Sequence, residues 1–247
     1  MIRNLLICGL LAGVVGAGFA TAFAAVAGEP AVNEAIAFEH SKSADRAAQH
    51  DPPVISRDIQ QTVGLPVATI LYGSAVGGLF ALAFAFVYGR VGRAGPGAVA
   101  MWLAAAAFVV VFLVPFLKYS SNPPAVGHHD TIGLRSALYA VMVAISLLAA
   151  VAAARIRHLV ARRLTPARAT PVAVASYVAI VAIAGLVLPA VQEVPPDFPA
   201  TTLWEFRRSA VGTQLILWTG IGITFGILAR RVMARSAARA TGAPAGD

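Results

Sequence analysis

IQQTVGLPVATILYGSAVGGLFALAFAFVYG, residues 59–89, runs for 31 positions without an Asp, Glu, Lys or Arg. A helix rises about 1.5 Å per residue, so about 20 such residues cross the ~30 Å hydrocarbon core of a bilayer. Five further runs lack all four charged types: 4–28, 94–117, 136–154, 169–192 and 209–229, of 25, 24, 19, 24 and 21 residues. Charged residues make up 12% of the chain, against about a quarter in a soluble domain. The mean hydropathy is +0.76. Long uncharged runs argue against one large soluble protein with six buried helices. The reading is an all-α integral membrane protein, one membrane domain over 1–247. Its six transmembrane helices fall at about 4–28, 64–88, 97–117, 136–154, 171–191 and 209–229.

Charge orients the helices. The side bearing both termini carries 12 basic residues and one acid, Asp247; the other carries 7 basic residues and 10 acids. Lys and Arg in short loops mark the cytoplasmic face. Both termini are therefore expected in the cytoplasm, with outward loops at 29–63, 118–135 and 192–208. The pI of about 10.5 is then a topology signal, with no nucleic-acid partner implied. Arg3 and Ala25-Val26-Ala27 resemble a cleaved signal, but the 25-residue run exceeds the 7–15 residues of a signal core. An uncleaved first helix is expected. The single Cys8 has no neighbours for a disulfide or a zinc site.

Pro52-Pro53, Pro123-Pro124 and Pro195-Pro196 fall one in each outward loop. Arg-Ser-Ala follows the second and third pairs, at 135–137 and 208–210. Three related helical hairpins would explain this, as internal repeats are common in transporters; prolines populating loops is the plainer account. Gly9-x3-Gly13, Gly73-x3-Gly77 and Gly222-x3-Gly226 allow close helix packing.

Polar chemistry gathers outside. Four of five histidines and ten of eleven acids lie in the outward loops. Imidazole with carboxylate suits first-row divalent metals. Candidate ligands are Glu39 and His40 in the first loop, His128, His129 and Asp130 in the second, and Glu193 in the third. No decisive spacing such as H-x3-H occurs, so solvated loop charge is the competing reading. In the third loop Trp204 and Phe206 are expected to be buried in protein or at the membrane interface. Arg207, basic on the acidic side, is expected to pair with a carboxylate such as Glu193, Asp197 or Glu205.

The strings VPFLKYSSNPPAVGHHDTIGLRSALY and LPAVQEVPPDFPATTLWEFRRSAVGTQLILW, with TVGLPVATILYGSAVGGLFALAFAFVYGRVG at 62–92, resemble the CbtA family of probable cobalt transporter subunits. The likeness covers essentially the whole chain. It implies cobalt uptake for cobalamin biosynthesis and a small single-span, histidine-rich CbtB-like partner. The residues matching its strings are Lys118, Tyr119, Asn122, Pro123, Pro124, Glu193, Pro195, Phe198, Pro199, Trp204, Arg207 and Gln214.

The expectation is a multi-pass subunit of a divalent transition-metal uptake system in a prokaryotic cytoplasmic membrane. It transports Co²⁺, holds no tightly bound cofactor, and is compatible with a homo-oligomer. The ion is captured at an outward vestibule built from 118–133 and 192–208, where Lys118 caps the site or pairs with Asp130. A non-transporting scaffold or metal-capture subunit is the alternative, because no ionised group lies inside any run. An enzyme is not expected. No run contains a histidine, and neither H-E-x-x-H nor G-x-S-x-G occurs. There is no phosphate loop to drive transport.

Overall fold

A computed structural model describes residues 2–44, 59–90, 94–124, 126–127 and 129–240. These are helical apart from short connections, with no strand among them. The helices are α1 (Ile2–Ala27), α2 (Glu29–Ala44), α3 (Leu65–Val87), α4 (Pro96–Ala107), α5 (Val114–Lys118), α6 (Ile132–Val160), α7 (Pro166–Val187) and α8 (Ala200–Ala240). A π-helical turn, Gln60–Gly64, precedes α3, and another, Phe108–Leu113, joins α4 to α5. Six segments are long and apolar enough to cross a membrane, the third comprising α4, the π turn and α5. The protein is a multi-pass membrane protein.

Small residues decide the centre of the bundle. Gly9 of α1 meets the backbone of Gly77 in α3, and Gly13 meets Gly73, so the two glycine pairs interlock antiparallel. A Cβ on Gly73 would lie 2.6 Å from that of Ala17. In lipid, close van der Waals packing of this kind replaces the hydrophobic drive available in water. On its other flank α1 meets α8, where a Cβ on Gly220 would fall 2.8 Å from Gly16 Cα. Phe225 of α8 packs edge-to-face on Phe80 and Phe84 of α3, with centroids 5.2 and 4.8 Å apart. The core therefore runs through α1, α3, α4 and α8.

The outer pair, α6 and α7, is joined by a 2.8 Å hydrogen bond between Ser146 Oγ and the Tyr177 hydroxyl. This pairing crosses the expected hairpins, since α8 packs on α1 and α4 rather than on α7. Of the three hairpins that the proline spacing suggests, the first packs together, α1 against α3, and the third does not.

Two loop expectations change. Residues 29–63 do not begin as a loop, because Glu29–Ala44 is helical. Pro30 sits in its first turn, where a missing N–H costs nothing, and Glu29 complements the positive end of the helix dipole. Residues 45–58 lie outside the described residues. The last nine residues of 192–208 belong to α8. At 41 residues this helix is about 60 Å long, twice the hydrocarbon thickness. Glu205, Arg207 and Arg208 thus ride on its projecting first turns. Charge ended the apolar run without ending the helix.

One end of the bundle carries a cap. Ala35 of α2, Val126 and Phe198 form a second small core, and the Phe38 and Phe198 rings meet edge-to-face at 5.1 Å. Thr202 Oγ1 donates to Glu34 Oε2 at 2.8 Å, and Lys42 is ion-paired to Asp197.

Candidate functional site

Beneath this cap the chain leaves α5 at Lys118 and turns. Tyr119 abandons helical geometry while its N–H still bonds to Pro115 O, and Ser120 Oγ donates to Phe116 O at 2.9 Å. Four long-range contacts then fix the corner. The Tyr119 hydroxyl donates to Pro189 O at 2.8 Å, just beyond α7. Arg207 of α8 donates from Nη2 to Asn122 Oδ1 at 3.0 Å and from Nε to Ser121 O at 3.4 Å. Arg135 of α6 sets its Nε 3.5 Å from Glu193 Oε2, in a pair whose carboxylate side chain is only 9% exposed.

Gly127 completes the corner. Its φ of +112° suits glycine. A Cβ there would also lie 2.5 Å from Arg135 Nη1 and 2.8 Å from Glu193 Oε2. The conformation favours glycine, and an added Cβ would push aside the ends of the Arg135 and Glu193 side chains.

These segments enclose a cavity of about 680 Å³ between α5, α6, the 188–199 connection and α8. Lys118, Arg135 and Arg207 line it against one carboxylate, Glu193; Tyr119, Asn122, Tyr139 and three serines supply neutral polar groups. A dication held ~8 Å from two uncompensated positive charges is disfavoured by about 2 kcal/mol even at the dielectric of water. The cavity is electropositive.

A second chamber of about 260 Å³ shares Tyr119, Ser121 and Tyr139 with the first and reaches Tyr72, Gln214 and Trp218. Gln214 and Trp218 follow Arg207 along α8, roughly 10 and 16 Å farther into the bundle by helix rise. Val111 and Phe112 of the π turn line it too. Such turns often mark functional positions, because one wider ring re-aims the side chains around it. Gln214 Oε1 and Trp218 Nε1 are buried without a protein hydrogen-bond partner. The chamber is several times the ~30 Å³ of one water, room enough to satisfy both groups.

Of the residues singled out in the sequence, Lys118, Asn122, Glu193 and Arg207 line the larger cavity, and Gln214 the deeper chamber. Asp130 is exposed on the short 3₁₀ turn before α6 and does not line the cavity. His128 lies outside the described residues, and only the backbone of His129 is described. Glu39 and His40 ride on α2, away from both cavities, with His40 exposed. Trp204 is 67% exposed from the protein at the start of α8, so the bundle does not bury it, and Glu205 is exposed beside it. The partner of Arg207 is the Asn122 amide, not a carboxylate. Lys118 lies over the Tyr119 ring rather than against Asp130. No group of three His, Cys, Asp or Glu poised for a metal occurs among the described residues.

Two other acids of the outward segments serve the cap. Hydrogen bonding from Lys42 holds the Asp197 carboxyl below the usual carboxylate range, and Glu34 accepts from Thr202. The sequence reading missed Arg135, Gly127, Tyr72, Tyr139 and Trp218 as site residues. Arg135 carried the same signal as Arg207, a basic residue on the acidic side of the chain.

A family model described as "Probable cobalt transporter subunit (CbtA)" matches residues 2–230. No curated protein and no solved structure gives a significant match.

Proposed function

The chain belongs to the CbtA family of probable cobalt transporter subunits, and from that premise we propose that it is the membrane subunit of a divalent transition-metal uptake system. Its termini face the cytoplasm, and the cavity under the α2 cap opens outward, as the arginine asymmetry favours. The observation that carries the reading is the adjacency of the two chambers. Tyr119, Ser121 and Tyr139 line both, so the chambers lie side by side, and a route from the capped end toward Gln214 and Trp218 would pass these three side chains. It contains no ionised group below Arg135 and Arg207, which suits passage of an ion that keeps part of its hydration.

An inside-negative potential supplies about 4.6 kcal/mol per dication at 100 mV, without an ATP-binding motif. Asp130, on the exposed turn before α6, is the proposed first ligand for Co²⁺ together with its sequence neighbours His128 and His129. Glu193 is committed to Arg135, so it acts on the ion only when that pair opens. A small single-span, histidine-rich subunit of the CbtB kind would supply the remaining ligands, and the chain acts as a transporter subunit rather than an enzyme.

A capture scaffold is the second reading, favoured by the absence of a metal-ligand cluster among the described residues. Purified chain in sealed vesicles, with and without the small partner, separates the two. Potential-driven Co²⁺ accumulation supports transport. Surface capture of metal with no internal accumulation under either condition supports the scaffold.

A further inference from the structure

The larger cavity has the wrong charge for a bare cation and more room than one needs. A dication with six waters occupies roughly 180 Å³, about a quarter of the 680 Å³ enclosed. Lys118, Arg135 and Arg207 face that space against the single carboxylate of Glu193. The Arg135 Nε is buried and, although 3.5 Å from Glu193, makes no hydrogen bond. Arg207 is oriented by Asn122 and Ser121 through two of its five N–H donors. A fixed guanidinium of this kind is suited to planar oxyanions.

We infer that the cavity recognises a small polycarboxylate, and that metal reaches it as an anionic carboxylate complex, which gives up the dication before the potential draws the ion inward. This rests on the uptake reading only for what the anion carries. The charges fit. A tricarboxylate holding one dication keeps a net charge of −1, opposite to the cavity's surplus of two. Its carboxylates would face Lys118 and Arg207 while Asn122, Tyr139 and the serines take its hydroxyl and remaining oxygens. Glu193 is then a counter-charge that holds Arg135 in place and keeps the empty cavity from being more positive still.

The test uses the full chain in phosphatidylcholine nanodiscs, titrated calorimetrically with citrate, with CoCl₂ and with their equimolar mixture. The expected result is saturable binding of citrate and of the mixture, weakening as salt screens the charges. Lys118→Gln should weaken citrate binding about tenfold, the scale of one charge-assisted contact. Glu193→Gln should tighten it, whereas a site built for bare cations would lose Co²⁺ binding. Should Glu193→Gln fail to fold, Lys118→Gln alone decides, since Lys118 holds only an aromatic face.

Citrate that never binds, with Co²⁺ binding that vanishes in Glu193→Gln, would overturn the inference. So would stabilisation by phosphatidylglycerol discs with no response to citrate, which would assign the cavity to a lipid headgroup. Binding is read without a gradient, so failed uptake leaves it standing. Uptake of Co²⁺ in carboxylate-free medium with no citrate binding would keep transport and remove this proposal.

Discussion

Arg207 donates from Nη2 to Asn122 Oδ1 at 3.0 Å, fastening the projecting start of α8 to the corner that follows α5. Each residue sits in one of the two sequence strings that resemble the family, and this bond makes those strings one site. It also orients a guanidinium over the cavity floor.

Asn122→Ala should therefore destabilise the protein by about 1–2 kcal/mol, in the range for a hydrogen bond to a charged group. It should also weaken citrate binding, because Arg207 loses its orientation. Arg207→Lys should fail to restore either property, since an ammonium cannot span Ser121 O and Asn122 together. Thermal unfolding in detergent and calorimetry check both. Wild-type behaviour of Arg207→Lys would dismiss the geometric role.

Gly127→Ala should cost on the order of 1–3 kcal/mol from the left-handed backbone alone. It should also displace the Arg135–Glu193 pair that its Cβ would strike. A lowered unfolding temperature together with altered citrate binding is expected. Unchanged values for both would mean the corner relaxes freely.

The cap should loosen in acid. Lys42 holds the Asp197 carboxyl below its ordinary pKa, so the folded state favours the ionised form. That contribution is present above the unfolded value of about 3.9 and is lost as pH falls through the lower folded value. Hydrogen exchange in α2 should rise over that acidic window, and Lys42→Gln should exchange faster at neutral pH with a flatter acid response. Phe198→Ala, which empties the small core under α2, should loosen it at every pH.

Gln214→Leu should lower Co²⁺ accumulation in vesicles several-fold while changing stability by less than about 1 kcal/mol. Its Oε1 has no protein partner to lose, and an apolar replacement removes a buried, unsatisfied acceptor. Full uptake in this variant would exclude the deeper chamber from the route.

Asp130→Cys should react with an impermeant thiol reagent from the outside only. Asp130 is exposed, and the native Cys8 is buried in α1 and should stay silent. Labelling solely from the cytoplasm would invert the proposed orientation.

The sequence by itself determined the six spans, because bilayer thickness converts directly into a length of uncharged chain, and residues 59–89 exceed it. The strings that resemble the family also marked Lys118, Asn122, Glu193, Arg207 and Gln214. The sequence did not determine that α7 leans on α6, or that α8 crosses to α1 and α4. Lipid is as apolar as leucine, so a membrane helix need not be more hydrophobic on its buried face, and periodicity names no neighbour. Partner choice was hidden for a related reason. Asp197, Glu205 and Glu193 are all near Arg207 in sequence, yet Glu193 goes to Arg135, Asp197 to Lys42, and Arg207 to an amide in another loop. Only the tertiary structure brings three cations to one cavity with a single acid, because an ion pair depends on distance in space and the chain sets that distance through every helix between.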